Sequence, residues 1–551
     1  MTSTPAPESA APSMGAVSSA DPQAQEAGMA MLRESGNAVD AAIATMLALT
    51  VVEPQSSGIG GGGFMLRGTA DGTVESFDGR EKAPAGAKSS WFLNDDGTLP
   101  SFDESVKSGL SVGVPGNVAM TAMAHAKHGK LPWAKLFEPA IKLARDGFKI
   151  NPRLHGYLAD MPDHAGMSTF GKDLFYDADG AAYPVGHVVK NETLAQTFEA
   201  LASKGPEAFY KGPRAAEIVT TIASATPRDG AMTLDDFAAY QPKTRDAACG
   251  TYRLYRICSM GPPSSGGVAV LQILGMLERF DLTSMGADNP ETWHLFVEAQ
   301  RLAYADRELY MADSDFVSVP VAGLLDPTYL AGRSAMIDPD STIADASAGI
   351  PAGVKITQAD GDEPEEHGTS HLAAVDSSGT MVSYTSTIEG PFGSGLMAGG
   401  FYLNNELTDF SRNPTGKDGA PVANRVEGGK RPRSSMSPTV IWDPQGRPVL
   451  AIGAAGGGTI PVSTTRSIIG VIDFGLSAEQ ALGLPFIMAY GDQIIVEQGT
   501  WMETSIPQFK ALGHSKISPR SAPIKGGAVK WTGTEWESAR DPRIESGVEV
   551  P

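Results

Sequence analysis

Hydrophobic positions along the chain follow two patterns, which predict a fold of mixed helices and strands. Apolar residues at helical spacing predict helices in the middle of the chain, at 116–127, 132–145, 192–203, 268–279 and 290–311. Runs with strand character occur at 64–67 and 73–77 and become frequent after residue 369, at 372–376, 381–387, 439–442 and 449–452. Strands at both ends with helices between them predict layered sheets covered by helices, an α+β fold.

The N-terminal part is predicted to begin with an unstructured segment. Residues 1–20 are rich in Ser, Ala and Pro without periodicity, which is typical of a disordered tail. Asp21 and Pro22 then read as a helix cap followed by a proline in the first turn. After Gly36-Asn37, a second helix over 38–52 is apolar on nearly all faces and is therefore expected to be buried.

The charge of the chain narrows the class of partner. Its 551 residues include 64 acidic and 43 basic side chains, a net charge of −21, which argues against nucleic acid or an anionic membrane and favours small molecules. The sequence contains no run near the roughly 18 apolar residues of a membrane-spanning helix. As written it shows no export signal, which favours a cytoplasmic location; a periplasmic or secreted location would follow if the native N-terminus is missing.

Two glycine-rich segments partly match motifs of cofactor sites. Gly58–Gly63 matches the GxGxxG string, but a helix precedes it and a strand follows it, the reverse of a dinucleotide site, so a close-packed turn is expected. The segment 261–267 precedes a helix without the lysine of a phosphate loop, so a structural turn with Ser264 or Ser265 as the cap is expected. We therefore predict no cofactor.

The two cysteines allow two interpretations. Cys249 and Cys258 flank a hairpin-like segment with its tip near Arg253-Leu254, which could place them opposite each other. A disulfide is possible, whereas two packed thiols are favoured in a reducing compartment. Two cysteines form no metal site by themselves, and the histidines at 125 and 128 lack a carboxylate or cysteine partner nearby in the sequence, so no metal site is predicted.

The candidate nucleophile lies in His367-Gly-Thr-Ser-His371, behind the acidic segment 360–366 and at the start of a predicted strand. If the chain is cut between Gly368 and Thr369, one residue carries a hydroxyl and a free α-amine whose ordinary pKa is about 7.7–8.0. A hydroxyl beside such a base is suited to acyl transfer. From these five residues alone, a β-branched residue that opens a strand is the simpler interpretation.

Donors for an anion precede and follow this segment. Arg80 leaves a predicted strand and could bind a carboxylate through two parallel hydrogen bonds, although a surface pair with Glu81 explains it equally well. Ser434 and Ser435 offer hydroxyl donors. The glycines at 456–458 offer uncrowded backbone N–H groups, which suit an oxyanion.

Carboxylates follow the candidate nucleophile. Glu389, Glu406 and Asp409 could together surround an ammonium group. With Arg80 and the serines as donors for a carboxylate, the sequence supplies groups for both charges of a zwitterion.

Taken together, these segments resemble the γ-glutamyltransferase (γ-glutamyl transpeptidase) family of N-terminal-nucleophile hydrolases over nearly the whole chain. The resemblance rests on motifs that occur in this order: Gly36-Asn-Ala-Val-Asp-Ala-Ala42, Gly58-Ile-Gly-Gly-Gly-Gly-Phe-Met65, Arg80-Glu-Lys-Ala-Pro84, Gly261-Pro-Pro-Ser-Ser-Gly-Gly267, Thr369-Ser-His371, Asn404-Asn-Glu-Leu-Thr-Asp-Phe410, Arg431-Pro-Arg-Ser-Ser-Met-Ser-Pro438 and Gly456-Gly457.

The resemblance implies a four-layer αββα sandwich and self-cleavage between Gly368 and Thr369. The large subunit would be 21–368 after the tail, the small subunit would be 369–551, and both would stay interleaved in one αββα unit. It further implies the following roles: Thr369 as nucleophile, Thr387 as its hydrogen-bond partner, Gly456 and Gly457 as oxyanion donors, Arg80, Ser434 and Ser435 for the substrate carboxylate, and Glu389, Glu406 and Asp409 for its ammonium.

The expected activity is transfer of the γ-glutamyl group of glutathione or a related amide to water or an amino acid through a γ-glutamyl-Thr369 ester. Two alternatives stay open: an acylase of the same fold for glutaryl or cephalosporin-type amides, and an uncleaved inactive homologue that acts as a binding protein. The sequence departs from the family at Ser370, where the family has Thr. The segment 410–433 could form a short lid but lacks the aromatic gate residue of some relatives.

Overall fold

The computed structural model describes residues 14–228, 231–354, 359, 368–417, 419–522 and 525–544. Its strands are β1 Gly15–Ser19, β2 Gly62–Gly68, β3 Val74–Gly79, β4 Phe148–Lys149, β5 Val188–Val189, β6 Lys243–Arg245, β7 Ala248–Tyr252, β8 Tyr255–Ser259, β9 Ser370–Asp376, β10 Met381–Thr387, β11 Met397–Ala398, β12 Phe401–Tyr402, β13 Thr439–Trp442, β14 Pro448–Ala455, β15 Ile487–Tyr490, β16 Gln493–Glu497, β17 Lys516–Arg520, β18 Lys525–Trp531 and β19 Trp536–Arg540.

Its α-helices are α1 Pro22–Arg33, α2 Ala38–Val52, α3 Phe102–Val106, α4 Asn117–His128, α5 Glu138–Asp146, α6 Pro152–Asp160, α7 Pro162–Ala165, α8 Thr169–Phe175, α9 Glu192–Lys204, α10 Glu207–Tyr210, α11 Gly212–Ser224, α12 Leu234–Ala238, α13 Gly266–Leu277, α14 Leu282–Met285, α15 Pro290–Tyr310, α16 Val321–Leu324, α17 Pro327–Ser334, α18 Ile460–Ile472, α19 Ala478–Leu482, α20 Trp501–Thr504 and α21 Ile506–Ala511. Within the described residues, the chain has no helix with the length and apolar character needed to cross a bilayer.

Two six-stranded sheets form the centre of the molecule. The first has the order β1-β9-β10-β2-β3-β6 and the second β19-β18-β14-β13-β8-β7. The sheets face each other, since β9 and β10 of the first contact β14 of the second. Helices α1, α2 and α4 cover the outer face of the first sheet, and α13, α18 and α19 cover that of the second. This arrangement is the αββα sandwich that the family resemblance implies.

The alternation of side chains along β9 separates two of the hydrophobic cores. Leu372 and Ala374 pack with the helices on the outer face. Ala373 and Val375 point the other way, into the core between the sheets. Because both faces of β9 are buried, its register is strongly fixed, and so is the position of Thr369 at its start.

Local sequence explains why α2 forms where it does. The Asn37 side chain accepts hydrogen bonds from the backbone N–H groups of Val39 and Asp40, and Asp40 accepts from the N–H of Asn37, which completes a capping box. Every residue of α2 is buried, as its uniform apolar sequence predicts. Buried Glu53 ends the helix.

The prediction of disorder over 1–20 is wrong for the part that the structure describes. Residues 15–19 form β1, paired antiparallel with β9 from Gly15–Asp376 to Ser19–Leu372. The segment lacks the alternation of a half-buried strand because both of its faces are covered, and small residues fit there. Residues 1–13, the acidic segment 360–366 and His367 lie outside the described residues.

The cysteines are paired. Cys249 and Cys258 are directly opposite in the β7–β8 hairpin and form a disulfide. Arg253 and Leu254, at the predicted tip, both have positive φ angles, 49° and 68°, as a tight hairpin turn requires. Of the two interpretations that the sequence left open, the structure has the disulfide.

Candidate active site

Thr369 lies at the start of β9, opposite the end of β10. Because Ser370 pairs with Ser386 in the register of these strands, Thr369 comes beside Thr387. The Thr369 hydroxyl donates to the Thr387 hydroxyl oxygen over 3.0 Å, and the Glu389 N–H donates to the same oxygen over 2.8 Å. The Thr369 hydroxyl is therefore held in one direction by a group that is itself fixed.

The backbone on both sides of the Gly368–Thr369 bond is constrained. Thr369 has φ 95°, a conformation that a β-branched residue rarely adopts. A Cβ on Gly368 would lie 1.4 Å from the carbonyl oxygen of Glu389, so only glycine fits there. Strain of this kind persists only where the surrounding structure enforces it, and it concentrates at functional sites.

A small cavity of about 10 Å³ lies at Thr369, roughly the space that one water molecule occupies. A larger ligand therefore enters only if the lining side chains move. Its lining includes eight of the residues singled out from the sequence, namely Arg80, Thr369, Thr387, Glu389, Glu406, Asp409, Ser434 and Ser435, together with Met436 and Ile460.

Arg80 is the cation of this cavity, and it is paired. Its guanidinium donates to Glu406 and Asp409 and, over 2.7 Å, to the carbonyl oxygen of Arg433. Arg80 is 1% exposed, so the prediction of a surface pair with Glu81 is wrong. The guanidinium of Arg80 and the carboxylate of Glu81 lie 3.9 Å apart, and both side chains are buried. The cation and the carboxylates, expected on opposite sides of a substrate, are in direct contact here.

Carboxylates outnumber the cation in this buried region. Burial, and then the charge of Asp409, raise the pKa of Glu389 to about 8. Burial also raises the pKa of Glu406 well above its ordinary value, despite the opposing effect of Arg80. The site therefore has an excess of acceptors that an ammonium group would stabilise in the ionised form.

Ser434 and Ser435 are held by the proline-rich loop 261–267. Ser434 N–H donates to the carbonyl oxygen of Pro263 over 3.1 Å, and the Ser265 hydroxyl donates to the carbonyl oxygen of Ser434 over 2.7 Å. Ser265 is the N-cap residue of α13, as one of the two predicted candidates, although its side chain makes no capping hydrogen bond. The Ser264 hydroxyl accepts from the N–H of Gly266 and also donates to the carbonyl oxygen of Met436.

Gly456 and Gly457 follow β14 just before α18. Both have positive φ angles, 119° and 55°, which glycine adopts without strain. Among the described residues, their N–H groups have no backbone acceptor. They do not line the cavity themselves, whereas Ile460, at the start of the helix that follows them, does.

The predicted glycine turn 58–63 packs against the end of β10, which carries Thr387. A Cβ on Gly61 would lie 2.0 Å from the carbonyl oxygen of Thr387, and one on Gly60 would lie 1.9 Å from that of Tyr402. The absence of side chains is what allows this turn to touch β10. The interpretation as a close-packed turn is confirmed.

His371 is close in sequence to Thr369 but is not placed to act as its base. It is buried, its Nδ1 lies 2.9 Å from the Thr385 hydroxyl, and it does not line the cavity. Burial lowers the pKa of His371 to about 3, so the ring is neutral. The described lining contains no histidine, so no imidazole of the lining is placed to take the proton of the Thr369 hydroxyl.

Two kinds of residue at the site were not predicted from the sequence. Met436 and Ile460 form the apolar wall, and apolar residues give no chemical signal. Asn405, which donates to Glu389 and accepts from the N–H of Gly390 over 2.9 Å, was part of a motif without an assigned role. The available signal was the position of this polar residue in the sequence, between the site carboxylates Glu389 and Glu406.

A separate buried cluster has the composition of a metal site. His294, Glu298 and His514 have ligand atoms within 4.8 Å of one another. The two imidazoles are hydrogen-bonded over 2.8 Å, and Glu298 is paired with Arg301 over 2.9 Å. These contacts satisfy the cluster without an ion, and none of its residues lines the cavity at Thr369.

Comparison with known proteins gives a consistent set of relatives. The family described as Gamma-glutamyltranspeptidase matches residues 24–550. The glutathione hydrolase proenzyme of Bacillus subtilis (strain 168) is 39% identical over 485 residues, which are 86% of this chain and 80% of the relative.

Two solved structures extend the comparison to the fold. A cephalosporin acylase from Bacillus halodurans has a TM-score of 0.83 at 27% identity, covering 98% of this chain and 97% of that chain. The gamma-glutamyltranspeptidase of Helicobacter pylori has a TM-score of 0.56 at 37% identity, covering 59% of this chain and 92% of that chain.

Proposed function

Because the chain belongs to the gamma-glutamyltranspeptidase family and is an N-terminal-nucleophile enzyme that transfers or hydrolyses γ-glutamyl groups, we propose that Thr369 is its nucleophile. One observation carries the proposal: the Thr369 hydroxyl, directed by Thr387 at 3.0 Å, faces a cavity lined by Arg80 and three carboxylates. A nucleophile and a zwitterion-binding surface thus share one small volume.

Maturation creates this nucleophile. The Thr369 hydroxyl attacks the carbonyl carbon of Gly368; the C–N bond breaks, its nitrogen becomes the α-amine of Thr369, and an ester remains. Water hydrolyses that ester, which leaves Gly368 with a carboxylate and Thr369 with its hydroxyl free. The products are chains of 368 and 183 residues. Strain at Thr369 and the crowding around Gly368 support cleavage at this bond.

Acyl transfer then uses both groups of Thr369. The α-amine takes the hydroxyl proton as the oxygen attacks the γ-carbonyl of the donor, and it returns a proton to the departing amine. The N–H groups of Gly456 and Gly457 stabilise the oxyanion, a contribution worth about 10²–10³ in rate for one donor. Water or the amine of an amino acid then attacks the γ-glutamyl ester and frees the threonine.

Substrate recognition is an exchange of ion pairs. The α-carboxylate of the donor replaces Glu406 and Asp409 as the partner of Arg80, with the hydroxyls of Ser434 and Ser435 as further donors. The ammonium group of the donor then pairs with the released carboxylates of Glu406 and Asp409 and with that of Glu389. We propose glutathione or a similar γ-glutamyl amide as the donor, since the Bacillus relative is named a glutathione hydrolase proenzyme.

The proposal is tested with a γ-glutamyl anilide and the matching glutaryl anilide, which lacks only the ammonium. We expect the mature protein to release aniline from the first and Thr369→Ala to release none. A glutaryl amide should react poorly, because three carboxylates would face no cation. Equal release by wild type and Thr369→Ala, or preference for the glutaryl compound, would contradict the proposal.

A further inference from the structure

A buried cluster of charged and hydroxyl groups includes the residue that follows Thr369 and lies outside the lining of the cavity. Lys525 begins β18, and its ammonium contacts the carboxylate of Glu53 over 2.8 Å, the hydroxyl of Ser370 over 3.0 Å and that of Ser56 over 3.1 Å. The Ser370 hydroxyl also donates to Glu53 over 2.6 Å. Lys525 is 2% exposed and Glu53 is 1% exposed. The cluster joins the end of α2, the start of β9 and the start of β18.

This cluster reaches Thr369 from two directions. Ser370 is its neighbour in the chain, so the hydrogen bond from Lys525 fixes the residue directly after the nucleophile. On the other side, the carbonyl oxygen of Ser56 accepts the hydrogen bond of the Thr369 N–H over 3.0 Å. Because Lys525 also holds the Ser56 hydroxyl, one ammonium group braces both segments that fix the Thr369 backbone.

We propose that Lys525, together with Glu53, is a positioning residue for the threonine nucleophile, which holds the nitrogen of Thr369 against the Ser56 carbonyl before and after the chain is cut. The inference rests on the proposed function of Thr369. Lys525 does not line the cavity and acts through Ser370 and Ser56 rather than on the substrate.

The cost of burying these charges supports a role beyond packing. A buried ion pair is seldom more stable than apolar side chains of the same size. Burial lowers the pKa of Lys525 to about 7, with further contributions from Arg153 in α6 and, in the opposite direction, from Glu53 and Asp21. Although burial opposes it, Lys525 together with Arg153 lowers the pKa of Glu53, so that this carboxylate stays ionised.

The charges of Lys525 and Glu53 also affect the pKa of the α-amine that cleavage creates. A cation nearby disfavours the protonated amine and so lowers its pKa, which favours the neutral form that a base requires. Removal of the Lys525 ammonium leaves Glu53 as an uncompensated anion and raises the pKa of the amine. The acidic limb of the activity profile should then move to higher pH.

The experiment uses the full chain with Lys525→Met, Ser370→Ala and the double variant Glu53→Gln/Lys525→Met. Lys530→Met is the matched control, because Lys530 lies on the same strand with a partly exposed side chain. The measurements are the cleaved fraction by intact mass, kcat and KM for a γ-glutamyl anilide, and the pH dependence of kcat/KM.

We expect Lys525→Met to slow cleavage and to lower kcat about a hundredfold, the usual effect of a misplaced reacting group, with KM changed less than about twofold. Its acidic limb shifts to higher pH. Ser370→Ala keeps both charges, so it lowers kcat about tenfold without that shift. If Lys525→Met does not fold, the double variant, which leaves no unpaired charge, and Ser370→Ala carry the test.

Three outcomes decide the matter. Variants at 525 and 370 that cleave and turn over like Lys530→Met would overturn the inference while the proposed function stands. Equal losses in kcat and 1/KM with an unchanged pH profile would indicate a structural role and overturn it as well. A wild-type protein that releases no more aniline than Thr369→Ala would overturn both.

Discussion

Close packing and excess negative charge are the two constraints on individual residues at this site. Packing fixes Gly368 and directs Thr369, while burial raises the pKa values of Glu389 and Glu406. The motifs identified these side chains from the sequence because each has a distinctive chemical type. They did not reveal that Arg80 contacts Glu406 and Asp409 directly, because that contact depends on how two distant segments fold together.

Gly368→Ala should block maturation. Its Cβ would lie 1.4 Å from the Glu389 carbonyl oxygen, so the backbone must shift and the scissile bond moves relative to the Thr369 hydroxyl. A displacement near 1 Å costs about a hundredfold in rate, which we expect in the cleavage rate followed on denaturing gels. Gly86→Ala is the control, since a Cβ there meets no atom within 4 Å. Wild-type cleavage of the Gly368 variant would contradict the packing argument.

The KM for a γ-glutamyl donor should rise as the pH falls. The pKa of Glu389 in the free site is raised to about 8, and an ammonium group binds the ionised form, so substrate must displace a proton at lower pH. We expect KM to increase below pH 8 by up to about tenfold per pH unit for one displaced proton. Initial rates from pH 6 to 9 measure this. The slope should be reduced in Glu389→Gln, and a KM in the wild type that does not change over this range would refute it.

Individual elements follow the sequence closely where one local signal decides them. Both ends of α2 and both ends of β10 agree with the sequence prediction, because a capping box begins the helix and turns bound the strand. The strand β1 was not predicted, because its five residues have small side chains and show neither alternation nor turn signals. The role of Lys525 was not predicted either, because no local pattern in the sequence indicates that β18 contacts the end of α2.

The disulfide between β7 and β8 should stabilise the edge of the second sheet without affecting chemistry. The two cysteines are nine residues apart, and a closed loop of that size contributes about 2–3 kcal/mol in the chain-entropy model. Neither cysteine lines the cavity at Thr369. We expect reductant, or the double change of Cys249 and Cys258 to Ser, to lower the apparent Tm by a few degrees while kcat is unchanged. Identical melting with and without reductant would argue against the bond.

The whole molecule is interleaved across the proposed cleavage site. In the first sheet, β9 and β10 follow Thr369 in the chain, yet they lie between β1 and β2, which precede it. The two chains made by cleavage therefore share one sheet and its cores, and they should co-elute on native size exclusion. This arrangement was expected from the family resemblance and not from the hydrophobic pattern, which carries no information on strand order.

Removal of β1 should weaken the mature protein. Val17 is fully buried, and the loss of such a side chain alone costs about 1.5–3 kcal/mol. The deletion also leaves the edge of β9, next to Thr369, without a partner strand. Deletion of residues 2–19 should lower the unfolding midpoint relative to deletion of residues 2–13. Equal midpoints for the two deletions would show that β1 contributes nothing to stability.

N-terminal sequencing of the smaller chain of the purified, active protein tests the central claim most directly. The account predicts a fragment of 183 residues that begins Thr-Ser-His-Leu, with Thr369 as its first residue, and no such fragment from Thr369→Ala. A fragment that begins at another residue, or an uncleaved chain of 551 residues that releases aniline from the γ-glutamyl compound, would contradict it.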